Sequence, residues 1–588
     1  MNGARGRRAS GLLAALLIPS IAAAQPEEGV VFPDRIEVEV VNLQVWVTDP
    51  EGRPVVALQT EDFELLIDGE PEPITHFSEI RSERTGGPFA PARPREPPAP
   101  PPAPPTEDAE PGEPPPPAPR ALEVGSLIVY FDELHLGRLE RKQVVADLRA
   151  MIEAHEVEPQ RVMILRQGTR LTAEASFGST RDHLDRVLDR LARPPAGQAA
   201  PADKRWVVQQ LWDLWESARQ RTNDRDPCAF FVREGAAKIT AWARDAAWRS
   251  RLTADQLTDV AELLGGIPGT KTVLYLGDAL DLTPGADLFE MVRGLCPYDA
   301  SGLPSQIGAE ELTGRFERVA SAANAGRVTI HTLQAGGLRT GALGGPDQRS
   351  TDPRAPGLKS SFEAAMRAGD RSGLEVLAAR TGGSAVVNRN RFDRELSAIA
   401  RDVGSYYSLG FSPGRRFDRG EHRVEVRTRH RGLEVRHRPE LRLKSPRERL
   451  DELVLTSIYL GVAPNPLDLR LAHGDLRVAG GEVLLPVRVL VPVDRIAYLP
   501  LGGGPPSASL EIAVHGRSPD QAEGPAVRRT FRFEKPAETS GRAELEVEIP
   551  LGPGLHVVGV GVRDQITGET SAVATTIGLQ PPPEQRSE

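Results

Sequence analysis

Two periodicities alternate along the chain and divide it before any single residue is singled out. From Val38 to Ile80, apolar positions alternate with polar ones in short runs through Val38, Val40, Leu43, Val45 and Val47, broken by the turn Asp49-Pro50-Glu51-Gly52 and a second hairpin around Asp68-Gly69. A period near two with one apolar face predicts a small β domain over 30–82. Beyond Arg120 the pattern changes to buried runs followed by helical spacing. Ser126 to Phe131 reads as a strand ending at Asp132, Leu139 to His155 as a helix, Arg161 to Leu165 as a strand and Asp182 to Leu191 as a helix. Further strands follow at Lys271 to Leu276, Arg327 to Leu333 and Ser384 to Val387, with helices over Glu310 to Ala325, Leu374 to Arg380 and Phe392 to Val403. Repeated strand–helix units need a parallel sheet covered on both faces, so the fold expected over 121–445 is a doubly wound α/β domain. From about 452 the chain returns to period two: Ala543, Leu545, Val547 and Ile549 alternate with Glu544, Glu546 and Glu548. This predicts an antiparallel, immunoglobulin-like domain over 452–580.

Two segments depart from these rhythms. Residues 88–119 hold sixteen prolines in 32 positions, a composition that buries no core and favours extended polyproline II, so 86–120 reads as a linker or a Pro-rich docking peptide. Residues 195–255 form a helical insertion with five of the six tryptophans, Trp206, Trp212, Trp215, Trp242 and Trp248. At near-helical spacing such rings pack between helices or form a partner-binding face.

Length and composition narrow the function. At 588 residues the chain exceeds what one core organises, and 39% hydrophobic with 26% charged residues suits folded domains. A net charge of −10 disfavours nucleic acid as a partner. Arg5, Arg7 and Arg8 precede the apolar run Leu12 to Ile21 and Ala22-Ala23-Ala24, the layout of a signal peptide over 1–24. The expected product is exported, periplasmic or secreted, with no transmembrane segment in the mature chain. Its only cysteines, Cys228 and Cys296, then permit one disulfide in an oxidising compartment.

Candidate chemistry is sparse. In a doubly wound sheet ligands bind where strands end, which singles out Asp132 in Phe131-Asp132-Glu133-Leu134-His135-Leu136 and Asp278 in Leu276-Gly277-Asp278. Gly265 to Thr272 misses the phosphate-loop pattern and precedes its strand, and no G-x-S-x-G or H-E-x-x-H occurs. Arg423, Arg427, Arg429, Arg431, Arg436 and Arg438 flank Gly432 in a hairpin, which reads as a solvated face or an inter-domain contact.

A strand, an acidic loop, a helix and a later strand ending in Gly-Asp resemble a von Willebrand factor A domain, and the likeness extends to the bacterial exported von Willebrand factor A-related proteins. Val45 to Val55 and Glu61 to Gly69 look like that family's leading β segment, Phe131 to Leu136 like its first A-domain strand, and Leu377 to Gly383 with Ser405 to Phe411 like its last repeats. The resemblance implies a Mg²⁺ site built from an Asp-x-Ser-x-Ser loop, a threonine and an aspartate. Asp132 and Asp278 match the acidic positions, but Leu134 and Leu136 stand where the serines belong, and neither Thr180 nor Thr222 fits the threonine. Glu133 or His135 could substitute; alternatively Asp132 caps the following helix. The expectation is a degenerate metal site, no cofactor, and a non-enzymatic protein–protein interaction or adhesion protein with a protein partner. The alternatives are an exported hydrolase acting on envelope polymers and a structural or assembly subunit.

Overall fold

The first strands, β1 (Val41–Thr48), β2 (Phe63–Ile67), β3 (Glu70–Pro71) and β4 (His76–Arg81), follow the alternation read from the sequence. The computed structural model describes residues 41–81, 125–154, 157–193, 204–220, 226–304, 309–336, 355–412, 417, 420–479, 481–500, 505–518, 524–536 and 541–580. The expected signal peptide over 1–24 and the linker over 86–120 lie outside them, as does Thr222.

The α/β part contains, in chain order, β5 (Ser126–Asp132), α1 (Arg138–Glu153), β6 (Val162–Gln167), β7 (Leu171–Ala175), α2 (Arg181–Leu191), α3 (Lys204–Gln220), α4 (Pro227–Gly265), β8 (Lys271–Gly277), α5 (Ala286–Leu295), α6 (Ala309–Ala325), β9 (Val328–Gln334), α7 (Ala355–Thr381), β10 (Ala385–Val386) and α8 (Asp393–Gly404). The sheet order is β7-β6-β5-β8-β9-β10. Alternate residues of the strands serve opposite cores. Leu127, Val129 and Phe131 pack against α1, α2 and α8, and Ile128 and Tyr130 against α4, α6 and α7. The sheet is mixed rather than wholly parallel, because β7 runs antiparallel to β6. Only residues 168–170 separate the two strands, and so short a link can join only antiparallel neighbours. The chain reverses its direction of travel between β5 and β8, the switch point at which doubly wound sheets open a crevice.

The next strands are β11 (Ser405–Phe411), β12 (Glu421–Thr428), β13 (Glu434–His437) and β14 (Glu440–Arg442). They correct the expected domain division. β11 lies between β1 and β4, β12 pairs with β2, and β13 covers the far edge of β1. Residues 41–81 and 405–442 therefore build one antiparallel sandwich, whose two sheets enclose Leu43, Val45, Phe63, Leu65, Tyr407, Leu409, Phe411, Val424 and Val426. The α/β segment is inserted within it. Alternation marks which face of a strand is apolar but not which distant strand covers it, and four short strands cannot bury a core alone.

The helical insertion also differs from its sequence outline. α4 does not stop at 255 but runs unbroken for 39 residues, about 58 Å. Its last turns lie on the sheet, and the preceding 26 or so residues, about 39 Å, project beyond the carboxyl ends of the strands. With α3 and α5 they form a helical lobe around Leu211, Trp212, Trp215, Phe231, Phe289 and Val292. Cys228 at the start of α4 is joined to Cys296 after α5, with Cα atoms 5.6 Å apart and a separation of 68 residues. Closing a loop of that length stabilises by about 4 kcal/mol in the chain-entropy account. Trp212 and Trp215 are core, whereas Trp206 is 59% and Trp248 47% exposed.

A helix not expected from hydropathy, α9 (Pro446–Leu460), follows; its start is a capping box in which Ser445 Oγ accepts from Glu448 N and Glu448 accepts from Ser445 N. The last domain has strands β15 (Arg470–His473), β16 (Arg477–Ala479), β17 (Glu482–Pro492), β18 (Leu499–Pro500), β19 (Pro506–Arg517), β20 (Ala526–Glu534), β21 (Arg542–Pro550), β22 (Gly554–Asp564) and β23 (Thr570–Leu579). β15, β16 and β21 flank β17 in one sheet; β18 and β20 flank β19, followed by β22 and β23, in the other. Leu485, Val487, Val489, Leu510, Ile512, Val547, Ile549, Val558 and Val560 fill the space between them. Leu450, Val454 and Ile458 of α9 lie on the outer face of β22, where Gly559 and Gly561 leave room. A Cβ at 561 would stand 2.5 Å from Val454 Cγ2 and 2.9 Å from Leu450 Cδ1. Gly561→Val is expected to lower stability by about 1–3 kcal/mol in urea unfolding through overpacking, and an unchanged midpoint would mean that α9 does not dock there.

Candidate functional site

Asp132 ends β5 at the switch point with its side chain fully buried. Its Oδ1 accepts from the backbone N–H groups of Leu134 at 2.9 Å and His135 at 3.2 Å. Oδ2 accepts from the Tyr275 hydroxyl at 2.6 Å and the Thr253 hydroxyl at 3.0 Å, and lies 2.8 Å from His135 Nδ1. Behind this shell, Gln167 Nε2 donates to Thr253 Oγ1 at 2.7 Å, and Tyr130 donates to Gln167 Oε1 at 2.6 Å. Burial alone would raise the Asp132 pKa, but the His135 charge and the hydrogen bonds outweigh it and hold the carboxyl below its ordinary value. The same burial, together with the Asp132 charge, pushes Tyr130 and Tyr275 well above theirs, so both remain hydroxyl donors.

This shell bears on the expected metal site. Asp278 does come to the same place, since its N–H donates to the His135 carbonyl at 2.9 Å. Yet Asp132 already receives five donors on two oxygens and has no lone pair to offer a cation. Leu136 is buried and Leu134 partly so, and neither carries an oxygen. Glu133 is committed to Arg141 at 3.0 Å and Arg166 at 3.1 Å, and His135 to Asp132. The residues present do not fit Mg²⁺. Among the described residues, the one group of three ligand-type side chains whose ligand atoms all lie within 4.8 Å of one another is Asp226, Cys228 and Asp299. There the Cys228 sulfur is in the disulfide, and Asp226 Oδ1 accepts from the first N–H groups of α4.

The sequence did not point to Thr253, Tyr275 or Gln167. Thr253 lies inside the Trp-rich insertion and Tyr275 in an apolar run, so neither has a local signature; only the tertiary crossing of α4 over β5 and β8 brings them to Asp132. A second cluster was equally silent. Lys204, at the start of α3, puts Nζ 3.1 Å from Asp281, 2.8 Å from Asp287 and 3.2 Å from Asp370, and 5.4 Å from the Trp242 ring centre. Burial opposes its charge, but the three carboxylates raise its pKa well above the ordinary value. Burial outweighs Lys204 at Asp287, whose pKa is raised. The cluster ties the lobe, through α3 and α5, to α7 and the loop after β8.

A serine–histidine pair lies elsewhere. Ser384 Oγ lies 2.8 Å from His331 Nδ1, which also accepts from Ser384 N at 3.2 Å. His331 is fully buried and its pKa is pushed well down, first by burial and then by Arg436. Its Nε2 is 4.0 Å from Asp402, beyond hydrogen-bond reach, and Asp402 is paired with Arg436. The pair sits midway along β9, away from the strand ends.

No family model matches the chain, and no curated protein is significantly similar to it in sequence.

The depressed pKa of Asp132 carries a sign. Its contribution to stability is present above the unfolded carboxyl pKa of about 3.9 and is lost as pH falls through the lower folded value. Asp132→Ala leaves buried donors unpaired and is expected to cost about 3–5 kcal/mol at pH 7. In urea unfolding measured from pH 7 to pH 2, the deficit relative to wild type should shrink below about pH 4; a deficit constant across that range would place the ionised form elsewhere.

Proposed function

We propose that the chain is an exported, non-enzymatic protein–protein interaction protein, built on a von Willebrand factor A-like domain whose metal position is taken by an internal hydrogen-bond shell. The observation that carries this reading is the saturation of Asp132 by five protein donors. Numbered from the first strand of the sheet, the order is 3-2-1-4-5-6 with the third strand antiparallel, which supports an A-type domain. In the last domain the chain passes from β17 to β19 and from β21 to β22, crossing between sheets as an immunoglobulin-like fold does. The disulfide suits an oxidising compartment, and no described helix is long and apolar enough to cross a membrane.

With the strand ends beneath the helical lobe, recognition passes to the lobe and the β surfaces rather than to a metal that captures a partner's carboxylate. The exposed aromatic side chains of the described residues, Trp206, Trp248 and Tyr298, all belong to the lobe or the loop that follows α5. Large aromatics dominate binding energy at interfaces. Captured partner from an envelope or secreted protein fraction should be equal in EDTA and in millimolar Mg²⁺, and the Trp206→Ala, Trp248→Ala double variant should weaken capture about tenfold or more. Metal-dependent capture, unaffected by the double variant, would restore the adhesive mechanism.

A second reading, an exported hydrolase of envelope polymers, rests on Ser384 and His331. The buried base of lowered pKa and the long Nε2–Asp402 gap argue against it. A fluorophosphonate probe should leave Ser384 unlabelled; labelling, together with turnover lost in Ser384→Ala, would install the hydrolase instead.

A further inference from the structure

Where the α/β segment meets the sandwich, the side chain of Arg438 is fully buried. It sits between β13 and β14, and Nη1 donates to the carbonyl of Asn324 near the end of α6 at 3.2 Å. Among the described residues, Nε and Nη2 have no hydrogen-bond partner. These two atoms form one edge of the guanidinium plane, the edge whose parallel N–H bonds receive two oxygens of a single carboxylate, phosphate or sulfate.

The surroundings repeat the imbalance. Lys271, 1% exposed, donates to the Ile267 carbonyl at 2.7 Å with one of its three protons. Arg327 is exposed, so the cluster reaches the surface. Lys444 is paired with Glu452. Burial and Arg327 push the Arg438 pKa down to about 9, and among the described residues no carboxylate acts to raise it. Lys271 is pushed well below its ordinary value by burial and by Arg327, Arg438 and Lys444, with only Glu452 in opposition. The carbonyls at the ends of α4 and α6 satisfy one donor each and leave the rest. A buried cation without a counter-charge is costly, and a group of unpaired buried donors calls for an ion or water.

We propose that Arg438, Lys271 and Arg327 form a binding site for a free tetrahedral oxyanion, phosphate or sulfate, between the α/β segment and the sandwich. Two oxygens meet the Nε/Nη2 edge of Arg438, and Lys271 and Arg327 supply further positive charge. The occupant would join the amino ends of β8 and β9 to the β13–β14 connection, so its binding should stabilise the fold.

The test uses the whole chain. At constant ionic strength held with sodium chloride, sodium phosphate and sodium sulfate should each raise the melting temperature saturably, and calorimetric titration should give one site per chain. Arg438→Lys keeps a cation but loses the paired edge and should weaken the affinity at least tenfold. Arg327→Gln changes an exposed side chain, should fold normally and should weaken affinity severalfold. A rise that does not saturate, or one equal in the wild type and both variants, would be a general salt effect and would overturn the proposal, as would the absence of any calorimetric heat. Water would then fill the donors.

Discussion

An ionised carboxylate cut off from solvent must have its lone pairs filled from within the protein, and that requirement at Asp132 organises the centre of this molecule. Its five donors come from the turn after β5, from β8 and from α4, so the strand end, its neighbour and the crossing helix are registered by one charge. Thr253 marks the height at which α4 leaves the sheet. The 26 or so residues of α4 before it stand free of the sheet and carry the lobe. Lys204 and its three aspartates then hold the base of the lobe to the sheet side of the same edge. The switch point of the sheet, which in other doubly wound proteins is an open crevice, is here a sealed polar core.

A different kind of interaction holds the sandwich to the α/β segment. Arg436 donates to the Gly382 carbonyl at the end of α7 at 2.6 Å and pairs with Asp402 at the end of α8, while its guanidinium lies 4.6 Å from the centre of the Trp46 ring. Trp46 Nε1 donates to the Asp402 carbonyl at 3.0 Å. Gly382 has φ +74, and a Cβ there would press within 2.8 Å of the His437–Arg438 backbone, so a glycine is required for the β13–β14 segment to approach. Cations placed at helix carboxyl ends complement the exposed carbonyls and the helix dipole. Two arginines of the basic hairpin are thus inter-domain contacts, while Arg427 and Arg429 remain exposed.

Strands and helices with a strong local period were legible, including Ser126 to Asp132 and the helix ending near Leu191, because one face of each is decided by neighbours close in sequence. The pairing of β1 with β11 was not, since Val45 and Tyr407 carry no mark of each other across more than 350 residues. β7 escaped notice because Leu171-Thr172-Ala173-Glu174-Ala175 is short and buries only Ala175 fully. α9 could have been found: Ser445-Pro446-Arg447-Glu448 is a capping box with proline at the first helical position. At the site, Asp132 and Asp278 were singled out by their places at strand ends and do come together through His135. The hydroxyls that fill Asp132 could not be foreseen, because one comes from an insertion and the other from an apolar strand.

The insertion of the α/β segment into the sandwich sets a schedule for synthesis. β1 to β4 leave the ribosome first, but their partner strands begin only at Ser405, some 320 residues after Arg81. At roughly 5–20 residues per second, the early strands wait on the order of 15 to 65 seconds with open edges and an uncovered apolar face. Edges of that kind invite pairing with other chains. The sandwich is therefore the slowest part of the fold to close, and a chain held unfolded until all of it has been made would escape the interval in which its first strands are most prone to aggregate.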